Sequence, residues 1–240
     1  MVSINKYKFF LTQILKDIYS DIELANYLGF KGGTALMFFY DLPRFSVDLD
    51  FNLLDLAKEK TVYEKVRKIL LKYGKIFDEA MKFYGPIIVL DYDVGERKLK
   101  IEISNRQWNN HYERKNLLGI NMQVMVAPDM FAHKLCALLD RGELTNRDIF
   151  DSWFFMQKQT PINKEIVETR MEMPLVDYMQ KCIDHLESMS DRGILNGLGE
   201  LMDEDMKKFV RTKKAWHYTA EAHTASNLTL PATWATCVRY

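Results

Sequence analysis

The stretch from Lys31 to Phe51 constrains the fold of this chain more than any other. Lys31-Gly32-Gly33-Thr34-Ala35-Leu36 places two glycines and a threonine ahead of an apolar run that continues through Tyr40. This predicts a turn opening into a helix, with Thr34 as its N-cap. Val47, Leu49 and Phe51 then alternate with Asp48 and Asp50, the period of a half-buried strand. Both carboxylates therefore face the same way, their Cα atoms about 6.5–7 Å apart. Two acids so placed suit a hard cation such as Mg²⁺, which takes carboxylate oxygens and keeps waters and phosphates as its other ligands. Gly32 and Gly33 permit positive φ and close backbone approach. A glycine turn entering a helix also presents N–H groups to an anion. An anion site and a cation site on one short segment suit a nucleoside triphosphate. Taken singly each half has a plainer meaning: a turn before a helix, and the solvated face of a strand.

Gly33-Thr34, thirteen residues, then Asp48-x-Asp50 resembles the signature of the DNA polymerase β-like nucleotidyltransferase superfamily. The wider string, Lys-Gly-Gly-Thr-Ala-Leu followed by Arg44-Phe45-Ser46-Val47-Asp48-Leu49-Asp50-Phe51, is similar to one branch. That branch is the AbiEii/AbiGii-type toxins of bacterial abortive-infection and toxin–antitoxin systems. His133-Lys134-Leu135-Cys136-Ala137-Leu138, Arg141 and then Arg147-Asp148-Ile149-Phe150-Asp151 resemble the later motifs of the same branch. The match runs from about residue 30 to 155.

Composition sets the outer bounds. At 240 residues the chain holds one large domain or two small ones, and its formal net charge is zero. Contact with nucleic acid then depends on local patches rather than a global field. Cys136, Cys182 and Cys237 are few, odd in number and widely spaced, which predicts neither a disulfide framework nor a zinc site. No apolar run reaches about 18 residues and no signal-peptide pattern opens the chain, so a cytoplasmic protein without membrane contact is expected.

Residues 4–19 carry Phe9, Phe10, Leu11, Ile14, Leu15 and Ile18 at helical spacing, a packing helix. Asn26 to Phe30 reads as a short strand delivering Lys31, which either reaches a phosphate or is a solvated lysine before a turn. Leu42 to Ser46 is a loop by its proline. Within it Arg44 either holds a triphosphate bidentately, pairs with Asp41 or orients Asp48. Leu56 to Tyr73 reads as an amphipathic helix. Two strands, Pro86–Val94 and Lys98–Ser104, follow around a turn at Gly95-Glu96-Arg97. Glu102 is the candidate third carboxylate, with Asp91 and Asp93 as a rival pair and a cross-strand lysine partner as the plainer role. Residues 96–116 hold six Lys/Arg against three Glu, with Trp108, His111 and Tyr112 interleaved. This is either an RNA-stacking face or solvated hairpin surface.

Ile120 to Val126 reads as a further strand, and Pro128-Asp129 as the start of a helix carrying Phe131, Lys134, Leu138 and Arg141 on one face. Thr145-Asn146-Arg147-Asp148 resembles a capping box with Asp in place of Glu. Beyond residue 160 three helices are expected, over 164–172, 175–189 and 202–216. The basic end of the last helix and Trp216-His217-Tyr218 serve either the helix dipole or RNA.

The fold expected is α+β. A polymerase β-like nucleotidyltransferase core with a mixed sheet and flanking helices spans 1–126. A helical domain completing the active cleft spans 127–218, and a tail 219–240. The resemblance implies NMP transfer from an NTP to an acceptor hydroxyl, with RNA, in particular tRNA, as acceptor, by a toxin neutralised by a separately encoded antitoxin. It implies Mg²⁺ or Mn²⁺ held by Asp48, Asp50 and Glu102. Nucleotide would be held by Lys31, Gly32, Gly33, Thr34, Arg44, Ser46 and Lys134, with Lys134 and Asp148 joining the acids in catalysis. Three other readings remain: a nucleotidyltransferase acting on protein or a small molecule, an inactive relative that binds nucleotide or a partner, and a purely structural module that binds no Mg²⁺–NTP.

Overall fold

The alternation at residues 47–51 becomes the centre of a seven-stranded mixed sheet. The structure, a computed structural model, describes residues 4–93, 97–140, 145–189, 193 and 195–213. The expected turn at Gly95-Glu96, Arg141, Trp216-His217-Tyr218 and the tail 219–240 lie outside the described residues. The chain divides into two compact units. The first comprises residues 1–41 and 45–125, and the second Leu42–Arg44 with the residues from Val126 onward.

In the first unit the elements run α1 (Ile4–Ser20), α2 (Ile22–Tyr27), β1 (Leu28–Lys31), α3 (Gly32–Phe39) and β2 (Asp48–Leu53). They continue with α4 (Glu59–Leu70), β3 (Lys75–Lys82), β4 (Gly85–Asp91), β5 (Leu99–Ser104), β6 (Tyr112–Leu117) and β7 (Ile120–Met125). The sheet order is β3-β4-β5-β2-β1-β7-β6. β2 pairs parallel with β5 and β1 parallel with β7; the remaining neighbours are antiparallel.

Leu49, Phe51 and Leu53 point into the core, where the Phe51 ring lies 5.4 Å from Phe30 and 6.3 Å from Tyr19 of α1. α1, α2 and α4 pack on one another; α1 and α2 also reach β7, and α4 reaches β4. Leu11, Ile14, Leu15 and Ile18 of α1 are all fully buried, as their spacing predicts, whereas Phe9 is exposed. The Tyr7 hydroxyl donates to the Val47 carbonyl at 2.5 Å, fastening α1 to the start of β2. Burial pushes that hydroxyl's pKa well above the ordinary tyrosine range, so it remains a donor.

Three expectations shift here. Asn26 and Tyr27 close helix α2 rather than open the strand, because Asp21 caps α2 by accepting from Glu23 and Leu24 N–H. Two further strands, β3 and β6, form the edges of the sheet, where few side chains are buried. Thr34 is not an N-cap: α3 starts two residues earlier, at Gly32, with Lys31 as the cap residue.

The second unit is helical among the described residues: α5 (Ala127–Asp140), α6 (Asn146–Gln157), α7 (Lys164–Met171), α8 (Leu175–Ser188) and α9 (Glu204–Lys213). α5 packs against α6, α7 and α8. Phe131 stacks on Phe155 at 5.0 Å, and the buried Tyr178 hydroxyl donates to the Leu135 and Cys136 carbonyls at 2.8 and 3.1 Å. Among the described residues no helix is long and apolar enough to cross a membrane.

Candidate active site

Strand pairing in the first unit aligns charge in two rows. Parallel register sets Asp48 opposite Lys100 and Asp50 opposite Glu102; antiparallel register sets Lys31 opposite Asp50. Because side chains alternate along a strand, Asp48, Asp50 and Asn52 share one face of β2, away from the core that Leu49 and Phe51 fill.

The glycine bend closes on this face. Gly32 has φ +79°, in the left-handed region, and a Cβ there would lie 2.3 Å from Asp50 Oδ2. Both facts demand glycine, one for backbone conformation and one for close approach. The side chain of Lys31 makes no capping hydrogen bond to α3; the first turn of a helix carries N–H groups with no partner inside the helix, the kind that receive an anion. Gly33 and Thr34 are buried, and the Thr34 hydroxyl donates to the Asp48 carbonyl. Its role is to tie the helix start to the acidic strand rather than to cap.

Burial lifts the Asp50 carboxyl above its ordinary range; Lys100 and Lys31 oppose the shift, while Asp48 and Glu102 reinforce it. Burial acts the same way on Glu102, but Lys100, then Lys31 and Arg106, outweigh it and hold the carboxyl below its usual value. The Lys100 ammonium donates to Glu102 Oε2 at 3.1 Å, and burial of that lysine is overcome by Asp50, Glu102 and Asp48, which hold it charged. Donor chemistry here fits a hard divalent cation: carboxylate oxygens only, two from adjacent same-face positions of β2 and a third from the neighbouring strand. Among the described residues, however, no three His, Cys, Asp or Glu stand close enough to form a ready-made cage. Glu102 is turned to Lys100 instead.

The rival acids have other partners. Asp93 pairs with Lys6, and Asp91 stands opposite Lys75. Tyr112 is taken into the sheet: its hydroxyl accepts from Asn52 Nδ2 at 2.7 Å, and its ring occupies the space beside Gly29, where a Cβ would meet it at 2.2 Å. That removes Tyr112 from the imagined RNA-stacking run, in which Lys115 pairs with Glu113 at 3.0 Å and Arg106 covers the Tyr84 ring at 3.9 Å. Asn52 and Lys100 went unmarked in sequence. The first continues the Asp48-Asp50 period, and the second shares the face of Glu102.

The second unit contains a separate charge cluster. Lys134 Nζ bridges Asp148 Oδ1 at 2.9 Å and Asp151 Oδ2 at 2.8 Å. The Arg44 guanidinium clasps Asp151 through two hydrogen bonds of 2.6 Å. Arg44 thus reaches a fully buried aspartate. With 5% of its surface exposed, the Arg44 guanidinium, expected to hold nucleotide, spends two of its donors on Asp151. Ser46 is likewise buried. Thr145 caps α6, accepting from Asp148 N–H, and its hydroxyl donates to Asp148 Oδ2 at 2.7 Å. Burial opposes charge on Lys134, but Asp148 and Asp151 raise its pKa and hold it protonated.

A family model, the nucleotidyl transferase AbiEii toxin of type IV toxin–antitoxin systems, matches residues 13–222. The chain belongs to this family. Its fold is that of JHP933 from Helicobacter pylori, with a TM-score of 0.54 at 20% identity, covering 92% of this chain and 96% of that one. A second H. pylori structure, described as that of a nucleotidyltransferase, gives a TM-score of 0.54 at 19% identity, covering 90% of this chain and 96% of that one. No curated protein matches the sequence. As a member of the AbiEii family the chain is a nucleotidyltransferase-type enzyme of a toxin–antitoxin system.

Proposed function

We propose that this member transfers a nucleoside monophosphate from an NTP to an acceptor hydroxyl on RNA, in particular tRNA, and that a separately encoded antitoxin neutralises it. The observation that carries the reading is the register of β2 and β5, which aligns Asp48, Asp50 and Glu102 beside the Gly32 bend. In the reaction the acceptor oxygen bonds to the α-phosphorus, the α–β phosphoanhydride bond breaks, and pyrophosphate leaves with the electron pair. Asp50 or Glu102 takes the proton of the acceptor hydroxyl. The N–H groups of Gly32, Gly33 and Thr34, with Lys31, hold the phosphates. Mg²⁺ or Mn²⁺ held by Asp48 and Asp50, with Glu102, would supply charge neutralisation at the phosphates. Catalysis of this kind is mostly positioning plus charge compensation. For Lys134 and Asp148 the support is the motif resemblance, and Lys134 would stabilise the leaving pyrophosphate.

The test incubates the full chain with total RNA, Mg²⁺ and each α-labelled NTP beside an Asp48→Ala variant. Label entering RNA with wild type alone supports the reading. Label entering protein instead moves the acceptor to another class. Nucleotide binding that Asp50→Ala leaves unchanged, with no pyrophosphate released, identifies an inactive relative.

A further inference from the structure

The charge on the acidic face is nearly balanced without any metal. Three acids, Asp48, Asp50 and Glu102, share it with two lysines, Lys31 and Lys100, each standing opposite an aspartate in the strand register. The Lys100 ammonium bonds directly to Glu102 Oε2 at 3.1 Å. Both side chains of that pair are a little over one-third exposed, 38% and 37%. An ion pair so open to water is worth little, and the lysine stem is long and flexible with three rotatable donors. The pair can therefore open without disturbing the sheet.

We propose that Lys100 is an internal counter-ion, competing with the divalent cation for Glu102, so that the site takes up its cation together with the nucleotide rather than before it. The triphosphate offers Lys100 a stronger anionic partner. As the ammonium moves from Glu102 to the phosphates, the carboxylate is released to the cation that travels with them. Cation and nucleotide thereby bind with positive coupling, each raising the affinity for the other by the same factor. Lys100 is a positioning residue in this scheme, acting through Glu102. The inference rests on the reading that Asp48, Asp50 and Glu102 hold the metal.

The test titrates Mn²⁺ into the full chain, followed by electron paramagnetic resonance or calorimetry. It is run without nucleotide and with an NTP analogue carrying a methylene between the α and β phosphorus atoms. Wild type should bind Mn²⁺ weakly alone and more tightly with the analogue. Lys100→Met should bind Mn²⁺ alone about tenfold more tightly, the effect of removing one competing charge, and its gain from the analogue should shrink by the same factor. Lys100→Gln, which leaves Glu102 a polar neighbour without charge, should follow Lys100→Met, and Lys100→Arg should follow wild type. Unchanged or weaker Mn²⁺ binding by a folded Lys100→Met or Lys100→Gln overturns the proposal. If Asp48→Asn abolishes Mn²⁺ uptake in the same series, only the role of Lys100 falls. If Asp48→Asn binds Mn²⁺ like wild type, the cation lies elsewhere and the proposed function falls with it.

Discussion

Replacing Arg44 by methionine tests whether the second unit depends on its buried ion cluster. The guanidinium and the Asp151 carboxylate are 3% and 0% exposed and share two hydrogen bonds of 2.6 Å. Removing one partner of a pair buried this deeply costs about 3–5 kcal/mol, since the orphaned charge stays desolvated. Lys134 remains 2.8 Å from Asp151 in the variant's starting geometry, which places the expected loss near the lower end, about 3 kcal/mol. For a chain of this length that lowers Tm by about 6–12 °C. The effect also has a pH signature. Burial opposes ionisation of Asp151, but Arg44 and then Lys134 outweigh it and hold the carboxyl below its ordinary value. A depressed carboxylate contributes stability that is fully present above its unfolded pKa, about 4, and is lost as pH falls through the folded value. The gap in Tm between wild type and Arg44→Met should therefore be full at pH 7 and narrow below about pH 4. Circular dichroism melts at stepped pH measure it. Arg44→Met combined with Asp151→Leu should recover part of the loss, because no orphaned charge remains. A shift under about 2 °C at pH 7, or a gap that widens in acid, refutes the reasoning.

Gly32→Ala meets both a positive φ and the Asp50 carboxylate; it should cost about 1–3 kcal/mol in strain and abolish most pyrophosphate release. Gly119→Ala is the control, since Gly119 also has positive φ (+86°) but nothing within 4 Å of its Cβ position. A small drop in Tm with activity retained is expected there, and equal activity loss in both variants would show that the Asp50 contact is irrelevant. Burial pushes the thiols of Cys136 and Cys182 up to about 12. In a Cys237→Ser background neither should react with a thiol-specific disulfide reagent at pH 8, whereas both should react in guanidinium. Fast labelling of the native variant would contradict the packing around Tyr178.

Legibility in the sequence followed burial. β2 announces itself because Leu49 and Phe51 are buried while Asp48 and Asp50 are not so deeply enclosed. α1 does so because Leu11, Ile14, Leu15 and Ile18 all enter one core. β3 and β6 stayed hidden: Lys-Ile-Phe-Asp-Glu-Ala-Met-Lys and Tyr-Glu-Arg-Lys-Asn-Leu lie at the two edges, bury no residue fully, and so show no period of two. At the site, strand periodicity was enough to put Asp48 and Asp50 together and to set Glu102 on the face opposite Ile101 and Ile103. It could not reveal that Asp48 and Asp50 stand opposite Lys100 and Glu102 of β5, since pairing between strands depends on register. Arg44 was unreadable for a similar reason. Its partner, Asp151, lies 107 residues away in sequence, and no local pattern encodes such a distance.

The position of β2 within the sheet also governs how the enzyme should fail. Hydrogen-bonded on both sides, by β1 and β5, this strand belongs to the part of the sheet last to open in native-state fluctuations. The rim hairpins can exchange their amide protons rapidly while Asp48 and Asp50 keep their spacing. Inactivation on heating should then coincide with cooperative collapse of the sheet rather than precede it, giving a catalyst that stays fully competent until it is lost altogether.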